Sequence, residues 1–451
     1  MKKQLLLALG TLLLLTGWLS AFLLNSVPQQ KTFFILGPTL LLGIGMGIVW
    51  KTVGGKLTAV TLALTALTAL LTMNQMFPSS GVSISAFQKR IQNDRGQGIS
   101  VPILVDKTSK NQSRIRDREL EAFSPVEITL FAQLPGAPGG MTFNTQEQLF
   151  VSIPKLGAVY RLTDSDQDGF SEQAKLYHVG MDRPTGLAWF RGTLYVAEPS
   201  QLLKIIDVDE DGQADQGQIL VSGLPDDGGH WTRPLLSDTQ KRLYLAIGSR
   251  CNNCEEENLL RATVLQIEPE TGEYAIFARG LRNVAGLVFS SDNRLWGSDV
   301  GRTGLGSDMQ TNEINLIALN GDYGWPYCFG HKQSDPQFAQ EGRCENTQPS
   351  RFDLPGNLRP QGLAFGAKLK TPDQDRDYLY VAVDTDPAKI IRIPYVEGRI
   401  LPPAQPFLQG WGAEDNSWGL PADMVAGEDG CMYVSDRRAH NIYRICWKEE
   451  E

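Results

Sequence analysis

Hydrophobic positions in this chain follow two rules, one before residue 78 and another after residue 125. The first stretch is apolar in long runs. From Gln4 to Gln30 no residue is charged, and Leu5 to Leu24 is almost wholly apolar. At about 1.5 Å per residue that run covers roughly 30 Å, the depth of a bilayer's hydrocarbon core. Further uncharged runs cover Thr32–Trp50 and Leu57–Phe77. The pattern predicts an N-terminal membrane anchor of about three transmembrane helices over residues 1–77. Lys2, Lys3, Lys51 and Lys56 lie on one side of these runs and Lys31 alone on the other, which sets the N-terminus in the cytoplasm and the rest outside. A cleaved signal peptide is the competing reading, against which stand the length of the first run and the two that follow. Residues 78–125 are polar and without sustained period, and read as an extracytoplasmic linker. The basic stretch Lys107–Arg118 reads as a solvated linker face.

From residue 126 to 451 the apolar positions alternate in short runs that recur. A four-residue motif appears as Leu149-Phe150-Val151-Ser152, Leu194-Tyr195-Val196-Ala197, Leu243-Tyr244-Leu245-Ala246, Leu295-Trp296-Gly297-Ser298, Leu379-Tyr380-Val381-Ala382 and Met432-Tyr433-Val434-Ser435. Its leading positions are 45, 49, 52, 84 and 53 residues apart. A Gly-Leu-Ala-Phe-like run often precedes it (Gly140, Gly186, Gly286 and Gly362 begin examples), and an alternating run follows it, as in Val159–Leu162 and Ile442–Ile445. Aromatic and β-branched runs separated by Gly, Asp and Asn are strands joined by turns. Three such strands and a weaker fourth per repeat make a propeller blade. The expected fold class is therefore all-β, a six-bladed β-propeller, with Val126–Leu134 closing the ring as the outer strand of the last blade. A plain sandwich explains six similar units poorly. The wide gap predicts an insertion, roughly Gly321–Pro360, covering one end of the central channel.

Charge divides the chain at the same place. Seven of the 42 basic residues precede Asp94, the first acidic residue, which leaves 35 basic against 51 acidic. An acidic body repels phosphate backbones, so no nucleic-acid partner is expected. All six cysteines follow the anchor, which fits an oxidising compartment. Cys431 and Cys446 fall in successive strands of the last repeat and suit a cross-strand or closure bridge. Cys328 and Cys344 lie within the insertion and suit a staple. Cys251-Asn252-Asn253-Cys254 lacks the second pair a zinc site needs and reads as a structural bridge.

Of the four histidines, His230 is the informative one. It stands in Pro225-Asp226-Asp227-Gly228-Gly229-His230, a loop entering an inner strand, where propeller sites gather. A neutral imidazole there accepts a hydroxyl proton; a structural loop histidine is the alternative. Arg282-Asn283 occupies the matching loop one blade on, and suits a carboxylate or quinone oxygen, or else a buried turn. Asp164, Asp166 and Asp168 before Gly169, and Asp207, Asp209 and Asp211 before Gly212, present alternating carboxylates of the kind calcium favours. Glu172 and Asp215 stand where a later ligand falls. Lys175 and Gln218 occupy the twelfth positions, so neither loop is an EF-hand, and an acidic hairpin turn is the plainer reading.

Over about Val126–Trp447 the chain resembles the glucose/sorbosone dehydrogenase family, six-bladed quinoprotein sugar dehydrogenases. The stretches that carry this are Gly229-His230, Ala246-Ile247-Gly248-Ser249, Cys251-Asn252-Asn253-Cys254-Glu255-Glu256, Gly280-Leu281-Arg282-Asn283, Asn312-Glu313-Ile314-Asn315 and Gly321-Asp322-Tyr323-Gly324-Trp325-Pro326. The Cys-Asn-Asn-Cys-Glu-Glu version is similar to the sorbosone-dehydrogenase-like branch. The resemblance implies an oxidoreductase with pyrroloquinoline quinone (PQQ) and calcium at the top of the channel. It implies His230 as base toward a sugar hydroxyl, Arg282 and Asn283 as quinone contacts, and backbone oxygens near Gly301 and Arg302 as calcium ligands. A cytochrome or membrane quinone would receive the electrons, and membrane lipid would hold the N-terminal helices. The chain departs from the pattern at Ser249, where the soluble glucose enzymes have Asp. It departs again near Asp386, where they have Lys and Lys389 is close, and at Leu420, where they have Arg. Fewer cations lower affinity for a tricarboxylate cofactor. Two other functions compete: a non-catalytic extracytoplasmic binding or scaffold propeller, and a calcium-dependent lactonase-like hydrolase.

Overall fold

The computed structural model describes residues 98–448, apart from 106–117, 210, 239–241, 307–308, 310, 367–368, 371–376 and 413–417. The expected anchor, residues 1–77, lies outside them. Among the described residues no helix is long and apolar enough to cross a membrane.

The described body is all-β and propeller-like. Four sheets each hold four antiparallel strands in chain order, and the third gains a short parallel strand, Gly321–Asp322, beside Tyr274–Arg279. The first runs Met141–Phe143, Leu149–Ile153, Ala158–Thr163, Gln173–Val179, and the second Gly186–Phe190, Thr193–Ala197, Gln201–Ile206, Gln216–Ser222. The third runs Leu235–Ser237, Leu243–Ile247, Thr263–Ile267, Tyr274–Arg279, and the fourth Val284–Phe289, Leu295–Asp299, Thr311–Leu316, Phe352–Pro355. An eleven-stranded sheet holds two more such runs. One is Arg359–Phe365, Asp377–Asp384, Lys389–Val396, Gln405–Gln409; the other is Pro421–Ala426, Met432–Asp436, Asn441–Trp447, Val126–Gln133. Val126–Gln133 thus pairs with Asn441–Trp447, as the closure reading requires.

Two strands fall inside the stretch read as linker, and correct that reading. Ile99–Leu104 pairs with Glu119–Ala122 and with Val126–Gln133, while Glu119–Ala122 pairs with Gln405–Gln409. They bridge the two runs of the large sheet. The apolar positions responsible are Ile103, Leu120 and Ala122, all buried, too short a series to show a period by itself.

The repeated motif explains itself in packing. Its second residue is aromatic in every copy and reaches a neighbouring sheet or, for Tyr380, the other run of the large sheet. Phe150 stacks on Trp189, centroids 5.3 Å apart, and Tyr244 meets Phe289 edge-on at 5.5 Å. Trp296 meets Phe365 and Tyr395, Tyr380 meets Trp447, and Tyr433 meets Phe143. Tyr195 donates its hydroxyl to Pro269 O at 3.3 Å. Each ring buries apolar area that a single twisted sheet leaves open. The inner strands surround a central cavity of about 1270 Å³.

The long insertion supplies the outer strand of the fourth sheet, Phe352–Pro355, and a hairpin of Cys328–Phe329 with Gln333–Ser334. The disulfides are Cys251–Cys254, Cys328–Cys344 and Cys431–Cys446, and no cysteine among the described residues is free.

Candidate active site

In such sheets the loop entering the inner strand and the loop leaving the second strand lie at one end, because the strands between them run out and back. His230 precedes Leu235–Ser237, and Ser249 follows Leu243–Ile247. Arg282 and Asn283 precede Val284–Phe289, whose partner strand ends at Asp299. Adjacency of the third and fourth sheets then brings all of them together.

The imidazole of His230 is held from one side. Its Nδ1 lies 2.9 Å from both the carbonyl oxygen and Oγ of Ser249. Ser249 Oγ donates to Cys251 O at 2.8 Å, so its lone pairs face the ring. Two acceptors on Nδ1 put the ring proton there and leave Nε2 as the bare acceptor. Burial pushes the imidazole pKa down to about 4, and the positive charges of Arg282 and then Arg261 add to this against the Ser249 hydrogen bond. His230 is therefore neutral at physiological pH.

Three arginines brace the loop. Arg233, fully buried, donates to Pro199 O (3.2 Å), His230 O (3.0 Å), Thr232 O (3.1 Å) and Pro225 O (2.6 Å). Arg261 donates to Gly248 O and to Asp227. Arg282 turns its guanidinium away from the channel, with Nε on Asn252 O, Nη1 on Val300 O and Nη2 on Asn252 Oδ1, all at 2.8–2.9 Å. These contacts give Arg282 a bracing role, and the residue is only 6% exposed.

Asp299 orients the Arg282-Asn283 pair, accepting both backbone N–H groups at 2.8 and 2.6 Å. It faces Glu313 across the strand pair. Burial raises both carboxyls, and the charge of Asp299 raises Glu313 further. Asn283 presents a buried Oδ1 that has no hydrogen-bond partner. Gly248 lies beside it: a Cβ there would sit 2.7 Å from His230 Cβ and 2.9 Å from Asn283 Oδ1.

The other expected residues are spread out. Gly301 donates its N–H to Asn312 Oδ1 at 3.0 Å, and a Cβ there would run into Thr311 O. Arg302 Nε lies 2.8 Å from the buried Asp335 carboxylate of the insertion, so its side chain faces that segment. The two acidic loops join third to fourth strands, which puts them at the end of the sheets opposite His230. There Asp164, Asp166 and Glu172 converge, as do Asp207, Asp209 and Asp215. Asp168 and Asp211 stand outside these groups, because their carboxylates accept the N–H of Phe170 (2.9 Å) and Gln213 (2.7 Å) and so serve the turns. Asn252 lies in the Cys-Asn-Asn-Cys motif, whereas the bracing residues Arg233, Arg261 and Asp299 carry no motif signal. Only their position three residues after His230, or opposite Glu313, could have pointed to two of them.

The pyranose dehydrogenase PQQ domain from Coprinopsis cinerea superposes with a TM-score of 0.61 at 15% identity, over 76% of this chain and all of that one, 100%. The chain has a PQQ sugar dehydrogenase-like fold. A calcium structure of the Trichoderma reesei carbohydrate-active enzyme family AA12 gives a TM-score of 0.62 at 16% identity, over 73% of this chain and 97% of that one. The PQQ-bound aldose sugar dehydrogenase of Streptomyces coelicolor gives 0.55 at 16%, over 71% and 99%. In sequence, residues 139–322 match a family described as a domain of unknown function, DUF7133. An uncharacterized protein of Borreliella burgdorferi is 25% identical over 339 residues, 69% of this chain and 86% of that protein.

Proposed function

We propose that this chain is a membrane-anchored, extracytoplasmic, six-bladed quinoprotein that oxidises a sugar or related polyol. The observation that carries it is the state of His230: neutral, with Nδ1 fixed on Ser249 and Nε2 without a hydrogen-bond partner among the described residues. Six blades are supported by the inner strands, which neighbour one another in one closed cycle. Met141–Phe143 lies beside Gly186–Phe190, then come Leu235–Ser237, Val284–Phe289, Arg359–Phe365 and Pro421–Ala426, and the last lies beside the first again. The large sheet is then two blades joined by the bridging strands.

The residues present fit PQQ. Asn283 Oδ1 is an orphaned buried polar atom, and only glycine at 248 lets His230 and Asn283 approach this closely, since a Cβ there would collide with both. Asn283 would contact the cofactor there, with Arg282 supplying positive charge from behind; Lys155, Arg183 and Arg437, which line the cavity at the same end, would face its carboxylates. PQQ when bound supplies the hydride acceptor. Calcium would be held by backbone oxygens near Gly301 and Arg302, with the acidic loops as separate sites. His230 Nε2 takes the hydroxyl proton of the substrate as the hydride departs, which prevents positive charge from building up on the sugar. The fixed Nδ1–H lets the imidazolium that forms remain hydrogen-bonded to Ser249. A cytochrome or membrane quinone would then accept the electrons. Purified full-length protein given PQQ and calcium should reduce an artificial acceptor with at least one of a panel of aldoses. Absence of both PQQ binding and acceptor reduction would favour the binding-propeller reading.

A further inference from the structure

The Cys-Asn-Asn-Cys turn joins the contacts that hold the Ser249 hydroxyl against His230 to those that hold the Arg282 guanidinium. Cys251 contributes its carbonyl to the Ser249 hydroxyl at 2.8 Å. Asn252 contributes its carbonyl and Oδ1 to Arg282, each at 2.9 Å. The same Oδ1 accepts Thr303 N–H at 3.0 Å, and Nδ2 donates to Thr303 O at 3.1 Å, which ties the turn to the next sheet's loop. Asn253 Nδ2 reaches Gln337 Oε1 of the insertion at 3.1 Å. Between Cys251 and Cys254 the chain is exposed or half-buried and forms neither helix nor strand. An open four-residue loop of that kind samples many conformations, and holding all these acceptors in place would cost entropy at each. The Cys251–Cys254 bridge closes it covalently and removes those alternatives beforehand.

We propose that the ring closed by Cys251–Cys254 is the positioning element of this site: it sets the His230 tautomer through Ser249 and fixes the Arg282 guanidinium through Asn252. Ser249 and Asn252 are positioning residues, acting through their neighbours. The inference rests on the reading of His230 as the base, but its geometry exists without cofactor. The charged groups that face His230 among the described residues are Arg282 and Arg261, with Arg233 on its carbonyl.

The test is ¹⁵N NMR of full-length protein labelled at histidine, without PQQ; four histidines keep the spectrum resolvable. In the native protein His230 should show a protonated Nδ1 and a bare Nε2. In Cys251→Ser/Cys254→Ser the tautomers should mix, and the titration midpoint should rise from about 4 toward 6.5. A Cys431→Ser/Cys446→Ser control removes a remote bridge and should leave both unchanged. Should the first variant not fold, native protein is reduced in its folded state with a water-soluble phosphine. The phosphine takes its oxygen from water and becomes the phosphine oxide, while the bridge gains two electrons and two protons. Cys328, Cys344 and Cys431 are buried, so the half-buried Cys251–Cys254 bridge opens first, as mass spectrometry would verify. The same tautomer mixing is expected. An unchanged tautomer and midpoint with the bridge open would overturn the proposal. Failure to bind PQQ with the tautomer effect intact would count against the proposed function alone.

Discussion

Replacing Arg233 with methionine should destabilise the propeller by about 3 kcal/mol, because four backbone carbonyls lose their donor while the packing volume stays nearly constant. The magnitude follows from where those carbonyls are. Pro199 and Pro225 are buried, so their oxygens are left without water; each costs about 1–3 kcal/mol. His230 and Thr232 are half-buried, so water repairs much of their loss. Against this stands the guanidinium's own burial cost, which pulls its pKa down to about 10, and which methionine does not incur. Two orphaned carbonyls at the upper end of that range, about 6 kcal/mol, less a relief of about 3 kcal/mol for the lowered pKa, leave about 3 kcal/mol. Arg233→Lys should lose nearly as much, since one ammonium cannot reach four acceptors spread from Pro199 to Thr232. Guanidinium unfolding followed by tryptophan fluorescence, with Trp231 next to the site, reads the change. A loss below about 0.5 kcal/mol for Arg233→Met would mean that the carbonyls are solvated in the native state and the bracing argument is wrong.

With His230 lowered to about 4, kcat/KM should rise with pH through about 4 and stay flat to neutrality; a limb near 6.5 would show an ordinary exposed imidazole. The folded state binds fewer protons than the unfolded chain between those values, so stability should fall as pH drops from 6.5 toward 4. His230→Ala should lower turnover about a hundred- to ten-thousand-fold with PQQ affinity little changed, as stopped assays and fluorescence titration would show. Opening the Cys431–Cys446 bridge, which closes a separation of 15 residues, should cost about 3 kcal/mol of unfolding free energy. A reporter fused after Phe77 should be active only outside the cytoplasm; activity inside would reverse the proposed topology.

Much of this protein is legible in its sequence because the signal is local. Strand alternation and a recurring aromatic position depend only on residues a few places apart, and the aromatic recurs because each sheet needs the same seal against its neighbour. The three cysteine pairings are ones that repeats and spacing suggest, for the same reason. His230 and Asn283 are recognisable by their place in loops that enter inner strands. The two short strands within residues 98–125 are not, since their few apolar positions acquire meaning only beside the ends of the ring. Tertiary structure alone decided where Arg282 points, because its acceptors come from Asn252 of the third sheet and Val300 of the fourth. It alone separated the acidic loops from His230, by running an odd number of strands between them. And it alone converted Ser249 from a missing carboxylate into a hydroxyl whose lone pairs are aimed at an imidazole, since that direction is set by a carbonyl two residues away in a covalently closed turn.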